Sequence, residues 1–247
     1  MRRIAIALIA AIATVTVSGG AFAAGGCCSG GTTYAVTPRT SDNTLTPDEK
    51  EAGWKLLFDG KTLSGWGCTD TNSTGWKAEN GAIYYDVSGG GMLYSTGRYG
   101  SFELKIDFKV DRGTNSGIFF RWDRLGDPVQ TGIEMQVLDS SRDNPPGKHS
   151  CGAIYDVLAP SENAMKPAME WNTALIRCRD NFVSIRLNGK RVIQMDLNRW
   201  TQPHRNPDGT DNKFDTAYKD MARVGHIGLQ DHDGKVWYKS IKVRELK

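Results

Sequence analysis

Ser101-Phe102-Glu103-Leu104-Lys105-Ile106-Asp107-Phe108-Lys109-Val110 is the stretch that decides the fold. Phe102, Leu104, Ile106, Phe108 and Val110 fall on one face of an extended chain, and Glu103, Lys105, Asp107 and Lys109 on the other. That is the two-residue period of an antiparallel strand with one face in a core and one in water. Gly132-Ile133-Glu134-Met135-Gln136-Val137-Leu138-Asp139 repeats the period but sets a carboxylate and an amide into an apolar run. A charge in mid-strand costs desolvation energy unless it is hydrogen-bonded, paired or solvated in a cleft. Read alone, this strand fits a solvated outer face as well as it fits a site.

The same period extends in both directions. Residues 76–79 and 82–87 flank Asn80-Gly81, a tight hairpin signal, and Asn188-Gly189 turns residues 181–187 into 191–196. Residues 92–95, 116–122, 171–179, 225–231 and 236–245 read as further strands, and 151–155 as another β-type segment. Thr46-Pro47-Asp48-Glu49-Lys50-Glu51 has an N-cap, a proline and early carboxylates in helix-starting order, enough for one short turn. About a dozen strands with no long helical period predict an all-β protein, a two-sheet antiparallel β-sandwich in one domain. Residues 198–224, with Pro203, Pro207 and Gly209, read as a long polar insertion, either one end of a cleft or a plain surface loop.

The N-terminus is an address. Met1-Arg2-Arg3 is a basic start, residues 4–17 are apolar, and Ala21-Phe22-Ala23 supplies small residues for a cleavage site. Residues 1–23 therefore read as a secretory signal peptide, too short for a membrane span. Residues 24–45 read as a Gly/Ser/Thr-rich linker and 46–247 as the folded domain, exported to the periplasm or beyond. A lipoprotein anchored through Cys27 is the competing form of export, although Ala24 stands where such signals carry leucine.

The 247 residues carry a net charge of +3 and are 39% hydrophobic and 24% charged, an ordinary globular balance. No basic block interleaved with aromatic residues points to nucleic acid. Seven Trp and eight Tyr suit both sugar-stacking surfaces and a sandwich core. Cys27, Cys28, Cys68, Cys151 and Cys178 make an odd set without C-x-x-C spacing, so neither a zinc centre nor a defined disulfide framework is indicated. The four His show no ligand spacing. No cofactor is expected. Asp208-Gly209-Thr210-Asp211 offers oxygen ligands of the kind Ca²⁺ takes, but otherwise reads as a polar loop.

Polar residues concentrate where strands should hold core. Arg121 shares a face with Phe119 in strict alternation and, beside Glu134, would shift that carboxylate or hold a substrate oxygen; alone, it reads as a solvated or salt-bridged strand residue. His232, in Asp231-His232-Asp233-Gly234, is also good turn chemistry.

Taken in order, Asn115-Ser116-Gly117-Ile118 with Arg121, Glu134-x-Gln136-Val137-Leu138-Asp139, Gly152-Ala153-Ile154-Tyr155, Glu170-Trp171-Asn172, Asn188-Gly189 and Gly228-Leu229-Gln230-Asp231-His232 resemble the 3-keto-disaccharide hydrolase domain family. Gly53-Trp54-x-x-Leu57-Phe58-Asp59-Gly60-Lys61-x-Leu63-x-Gly65-Trp66 is similar to that family's opening, and the likeness covers about residues 52–247. The resemblance implies a concanavalin A-like jelly roll and a hydrolase or lyase acting on glycosides oxidised to a ketone at C3. A C3 ketone acidifies the C2 proton, so a side-chain base can form an enolate that expels the C1 substituent, and hydration of the enone gives net hydrolysis. On matching positions, Glu134 and His232 are the candidates for base and acid in either order, and Arg121 for the enolate. Gln136, Asp139, Gln230 and Asp231 are candidates for hydroxyls, and Trp171 for a ring face; Asp139 would serve equally to hold its loop, and Trp171 to fill core.

The competing reading is a carbohydrate-binding jelly roll with no turnover. An ordinary glycosidase of this fold would place a second carboxylate near Glu134 on the same strand face, where Gln136 and Leu138 stand instead.

Overall fold

The computed structural model describes residues 41–86, 90–232 and 234–247. The expected signal peptide, Cys27, Cys28 and most of the expected linker lie outside the described residues. The strands are β1 (Lys55–Leu56), β2 (Trp66–Cys68), β3 (Trp76–Glu79), β4 (Ala82–Tyr85), β5 (Leu93–Tyr99), β6 (Phe102–Val110), β7 (Asn115–Trp122), β8 (Ile133–Leu138), β9 (Asn172–Arg179), β10 (Phe182–Leu187), β11 (Lys190–Asp196), β12 (Gly225–Leu229) and β13 (Val236–Glu245). Two short helices, α1 (Pro47–Glu51) and α2 (Pro128–Thr131), complete the regular structure apart from two single 3₁₀ turns.

The strands pair antiparallel into two sheets. The larger runs β11-β10-β9-β6-β13-β4-β3 with β1 also beside β13; the smaller runs β2-β5-β12-β7-β8. Together they form a jelly-roll-like β-sandwich. The apolar face of β6 is fully buried against Ile118 and Phe120 of β7 and Ile133, Met135 and Val137 of β8. Each such side chain is worth about 1.5–3 kcal/mol on burial. Asn80 and Gly81, and again Asn188 and Gly189, take positive φ, as the two-residue hairpin turns at those points require. The Thr46 hydroxyl accepts from Glu49 N while the Glu49 carboxylate accepts from Thr46 N, a reciprocal cap that starts α1.

Four details differ from the sequence reading. The folded part reaches back before residue 46: the Asn43 side chain donates to Gly81 O and accepts from Ser240 N, both at 2.8 Å. Residues 151–155 form no strand; Ile154 makes isolated bridges to Met135 and Leu158, and the segment covers the free edge of β8. The 198–224 insertion is a built element, with Trp200, Phe214, Tyr218 and Met221 buried in the main core and the Trp200 indole bonded to Asn206 at 3.0 Å. Finally, β7 carries a bulge. His226 pairs with Trp122 and Gly228 with Phe119, so Phe120 and Arg121 together oppose Ile227 alone.

Cys68, Cys151 and Cys178 are free thiols. Burial pushes Cys151 and Cys178 up to about 12, so both stay protonated. Among the described residues no helix is long and apolar enough to cross a membrane.

Candidate active site

The outer face of the smaller sheet carries the site. β8 sends Ile133, Met135 and Val137 into the core, so Glu134 and Gln136 point the other way. Across from them on β7, Phe119 pairs with Glu134 and Gly117 with Gln136. Gln230 N donates to Gly117 O at 3.0 Å, which puts Gln230 in the same cross-strand row as Gly117 and Gln136. The next row runs Tyr94, Gly228, Phe119, Glu134. Met92, Phe119 and Trp122 form a second, small apolar cluster there, with Tyr94 edge-on to Trp122 at 6.1 Å. The two glycines are required by these neighbours. A Cβ on Gly117 would overlap the Glu134 carboxylate, and one on Gly228 would stand 2.8 Å from the Trp122 ring.

Glu134 is only 6% exposed and lies folded over Gly117. Among the described residues no hydrogen bond reaches its carboxylate. Desolvation pushes its pKa up to about 8, and the nearby Lys213 ammonium pulls the other way. The amides around it differ in their partners: Gln136 Nε2 donates to Asn115 Oδ1 at 2.7 Å, while Gln230 Oε1 is buried with no partner. An acceptor left unsatisfied in this way costs free energy unless another donor fills it.

The 198–224 insertion and the 147–156 loop close the β8 side. Tyr155 N donates to Glu134 O at 3.0 Å, and Lys213 Nζ stands 4.3 Å from the Tyr155 ring centre. Lys213 is pinned through its backbone, N–H to Asp156 Oδ2 at 2.9 Å and carbonyl to Gln130 Nε2 at 3.0 Å. His149 pairs with Asp156 at 3.1 Å and lies against Tyr155. The buried Tyr218 hydroxyl, also without a partner, is held protonated by burial and by the fields of Glu134 and Asp156.

Of the residues expected from sequence, the structure brings together Glu134, Gln136 and Gln230. Arg121 does not join them. The bulge turns it away from Phe119; its Nε donates to Gly100 O at 2.9 Å and Nη1 to Asp180 O at 2.8 Å, where it is 1% exposed. Strict alternation fails here because one extra residue reverses the face of everything beyond it. Trp171 is also elsewhere, on the outer face of the larger sheet, with the Lys239 and Lys109 ammonium groups 4.2 and 5.2 Å from its ring centre. Asp139 accepts from Gly113 N at 3.0 Å and so ties down a loop; it lines a separate cleft of about 530 Å³ with Arg112 and Arg142. Asp231 is half-buried near Asp70, with its carboxyl pushed up by burial, and His232 is exposed beside it at the end of the Gln230 strand.

Lys213, Tyr155 and Tyr94 are the lining groups that the sequence reading did not place among the catalytic and binding residues, whereas Trp122, a candidate from sequence for either a ring face or the core, packs with Phe119 and Met92 beside them. Tyr155 stands inside the Gly152-Ala153-Ile154-Tyr155 run, whereas nothing local marks Lys213. The carboxylates at Asp208 and Asp211 are engaged, the first with Thr210 N at 2.9 Å and the second with Arg205 at 3.1 Å. Among the described residues no three His, Cys, Asp or Glu side chains gather as a metal-holding group.

Fold and site together define a class: a two-sheet β-sandwich with a desolvated carboxyl on the outer face of its smaller sheet. Within that class the chain belongs to the 3-keto-alpha-glucoside-1,2-lyase-like domain family, whose sequence model matches residues 53–244. It is 31% identical over 230 residues to a 3-keto-disaccharide hydrolase of Bacteroides thetaiotaomicron, covering 78% of this chain and 79% of that protein. Two crystal structures of candidate glycosyl hydrolases from Parabacteroides distasonis match with TM-scores of 0.70 and 0.71 at 32% and 26% identity. The alignments cover 78% and 84% of this chain and 99% and 100% of theirs.

Proposed function

We propose that this protein is an exported enzyme that cleaves 3-keto-glycosides, with Glu134 removing the proton from C2. The observation that carries the reading is the state of Glu134, a buried carboxyl with no hydrogen bond among the described residues and a pKa of about 8. A carboxylate of that basicity is a far better match to a carbon acid than an ordinary glutamate. The family match and the relative's name supply the substrate class.

The C2–H electrons pass into a C2–C3 enolate as the proton moves to Glu134. Lys213, whose charge already reaches Glu134, faces the developing negative charge on the C3 oxygen. Collapse of the enolate restores the ketone, forms the C1–C2 double bond and breaks the bond from C1 to the leaving oxygen, which takes a proton from His232 or water. Release at this stage is a lyase reaction; addition of water at C1 with reprotonation at C2 makes it a hydrolase. Gln230 Oε1, lacking a protein donor, is the acceptor for a sugar hydroxyl, and Gln136 offers a further amide beside it.

The test is to incubate the mature protein with a 3-keto-glucoside and with the unoxidised glucoside and follow release of the aglycone. Release from the ketone alone is expected, with C2-deuterated substrate slowed. Release from both would make it an ordinary glycosidase, and binding of either without release would make it a sugar-binding module.

A further inference from the structure

The outer face of the larger sheet, remote from Glu134, carries a row of cations. Following the pairing from strand to strand, Arg191 of β11 stands opposite Arg186 of β10, Arg186 opposite Leu175 of β9, Leu175 opposite Lys105 of β6, and Lys105 opposite Lys242 of β13. Strands lie about 4.8 Å apart, so this is one line of positive charge across five strands, interrupted only by a leucine. Like charges directly opposite each other destabilise a sheet. The row keeps two such pairs; among the described residues, of the four cations only Lys242 forms an ion pair, with Glu49, whose carboxyl also feels the charge of Lys105.

At the β9–β11 end the row opens into a groove of about 570 Å³, lined by Arg177, Arg179, Arg186 and Arg191 around Ser184, with Phe182 at the rim, 57% exposed. Glu103 pairs with Arg177 and with Arg244. Among the described residues Arg179, Arg186 and Arg191 have no ion-pair partner.

We infer that this groove binds an acidic oligosaccharide, with uronate or sulfate groups seated on Arg186 and Arg191. Guanidinium groups fit planar or tetrahedral oxyanions through paired N–H donors. The Ser184–Gln194 pair forms the adjacent cross-strand row, where the hydroxyl and the amide are partners for neutral hydroxyls, and Phe182 offers a ring face. The concave form favours a chain lying across the strands over the flat surface of an anionic bilayer. The site is independent of the chemistry at Glu134.

The experiment is calorimetric titration of the mature protein with a tetra-galacturonate, with maltotetraose as the neutral control and phosphatidylglycerol vesicles as the bilayer control. Tetra-galacturonate is expected to bind, weaken as salt is raised, and lose about tenfold or more in affinity in the Arg186→Gln/Arg191→Gln double variant. Maltotetraose is expected not to bind, and release of aglycone from a 3-keto-glucoside is expected to be unchanged by the double substitution. Because a repulsive pair is removed, the variant should melt at or above the wild-type temperature; a marked fall would assign the two arginines to the fold. Absence of tetra-galacturonate binding, equal binding by the variant, or binding only to the vesicles would overturn the inference.

Discussion

With Glu134 as the proposed base, catalysis is coupled to stability, because the same side chain is poorly solvated. Its pKa is raised from 4.5 in an exposed chain to about 8 in the fold. Between those values the folded state holds a proton that the unfolded state has released, so stability falls as pH rises through this window. Glu134→Gln keeps the shape and abolishes the titration. The two proteins should therefore melt alike at pH 4.5, and the glutamine variant should become the more stable above pH 8. Thermal melts of both across that range check the sign; parallel curves would mean that Glu134 ionises normally. The same variant should lose roughly 10²–10⁴-fold in kcat/KM, the usual contribution of a positioned proton acceptor. The identity of this residue was legible in the sequence as a carboxylate inside an apolar alternation. Its raised pKa was not, because the burial behind it comes from groups that only the fold brings near, among them Phe119 on the paired strand and the Tyr155 loop.

At the scale of elements, local pattern carried most of the information. The β6 alternation, the Asn80-Gly81 and Asn188-Gly189 turns and the Thr46–Glu49 cap are decided by neighbours in sequence, and the structure forms them where the pattern places them. The β7 bulge is different, since it depends on how many residues β12 sets opposite. Strict alternation put Arg121 beside Glu134; the bulge delivers it instead to two turn carbonyls, Gly100 O and Asp180 O. Its conformation, with φ at +51°, is one that a non-glycine residue keeps only when its surroundings impose it. Arg121→Met should thus cost roughly 2–4 kcal/mol, because two carbonyls lose charge-assisted bonds. Denaturant melts would measure that loss, and kcat and KM of the still-folded variant should stay at wild-type values. A large drop in kcat without destabilisation would return Arg121 to the chemistry.

Over the whole molecule, the site is assembled from parts distant in the chain: β8 supplies the carboxyl, β7 the glycine beneath it, the residue just past β12 the Gln230 amide, and the 198–224 insertion the cation. A polar insertion with two prolines reads either as one end of a cleft or as a surface loop, and nothing local shows that Asp156 and Gln130 fix the backbone of Lys213 beside the sheet. That long-range anchoring makes Lys213 a test of the assembled site. Its ammonium lowers the Glu134 pKa against the larger effect of burial. With Glu134 as base, kcat/KM should rise with pH and level off above about 8. In Lys213→Gln the opposing charge is gone, so the rise should move to higher pH, and the plateau should also drop because the enolate oxygen loses its cation. Lys213→Arg should restore the position of the rise, since the charge returns. A lowered plateau with an unmoved rise would give Lys213 a role at the substrate alone. An inverted profile, falling as pH passes 8, would make Glu134 the acid and transfer proton abstraction to another group.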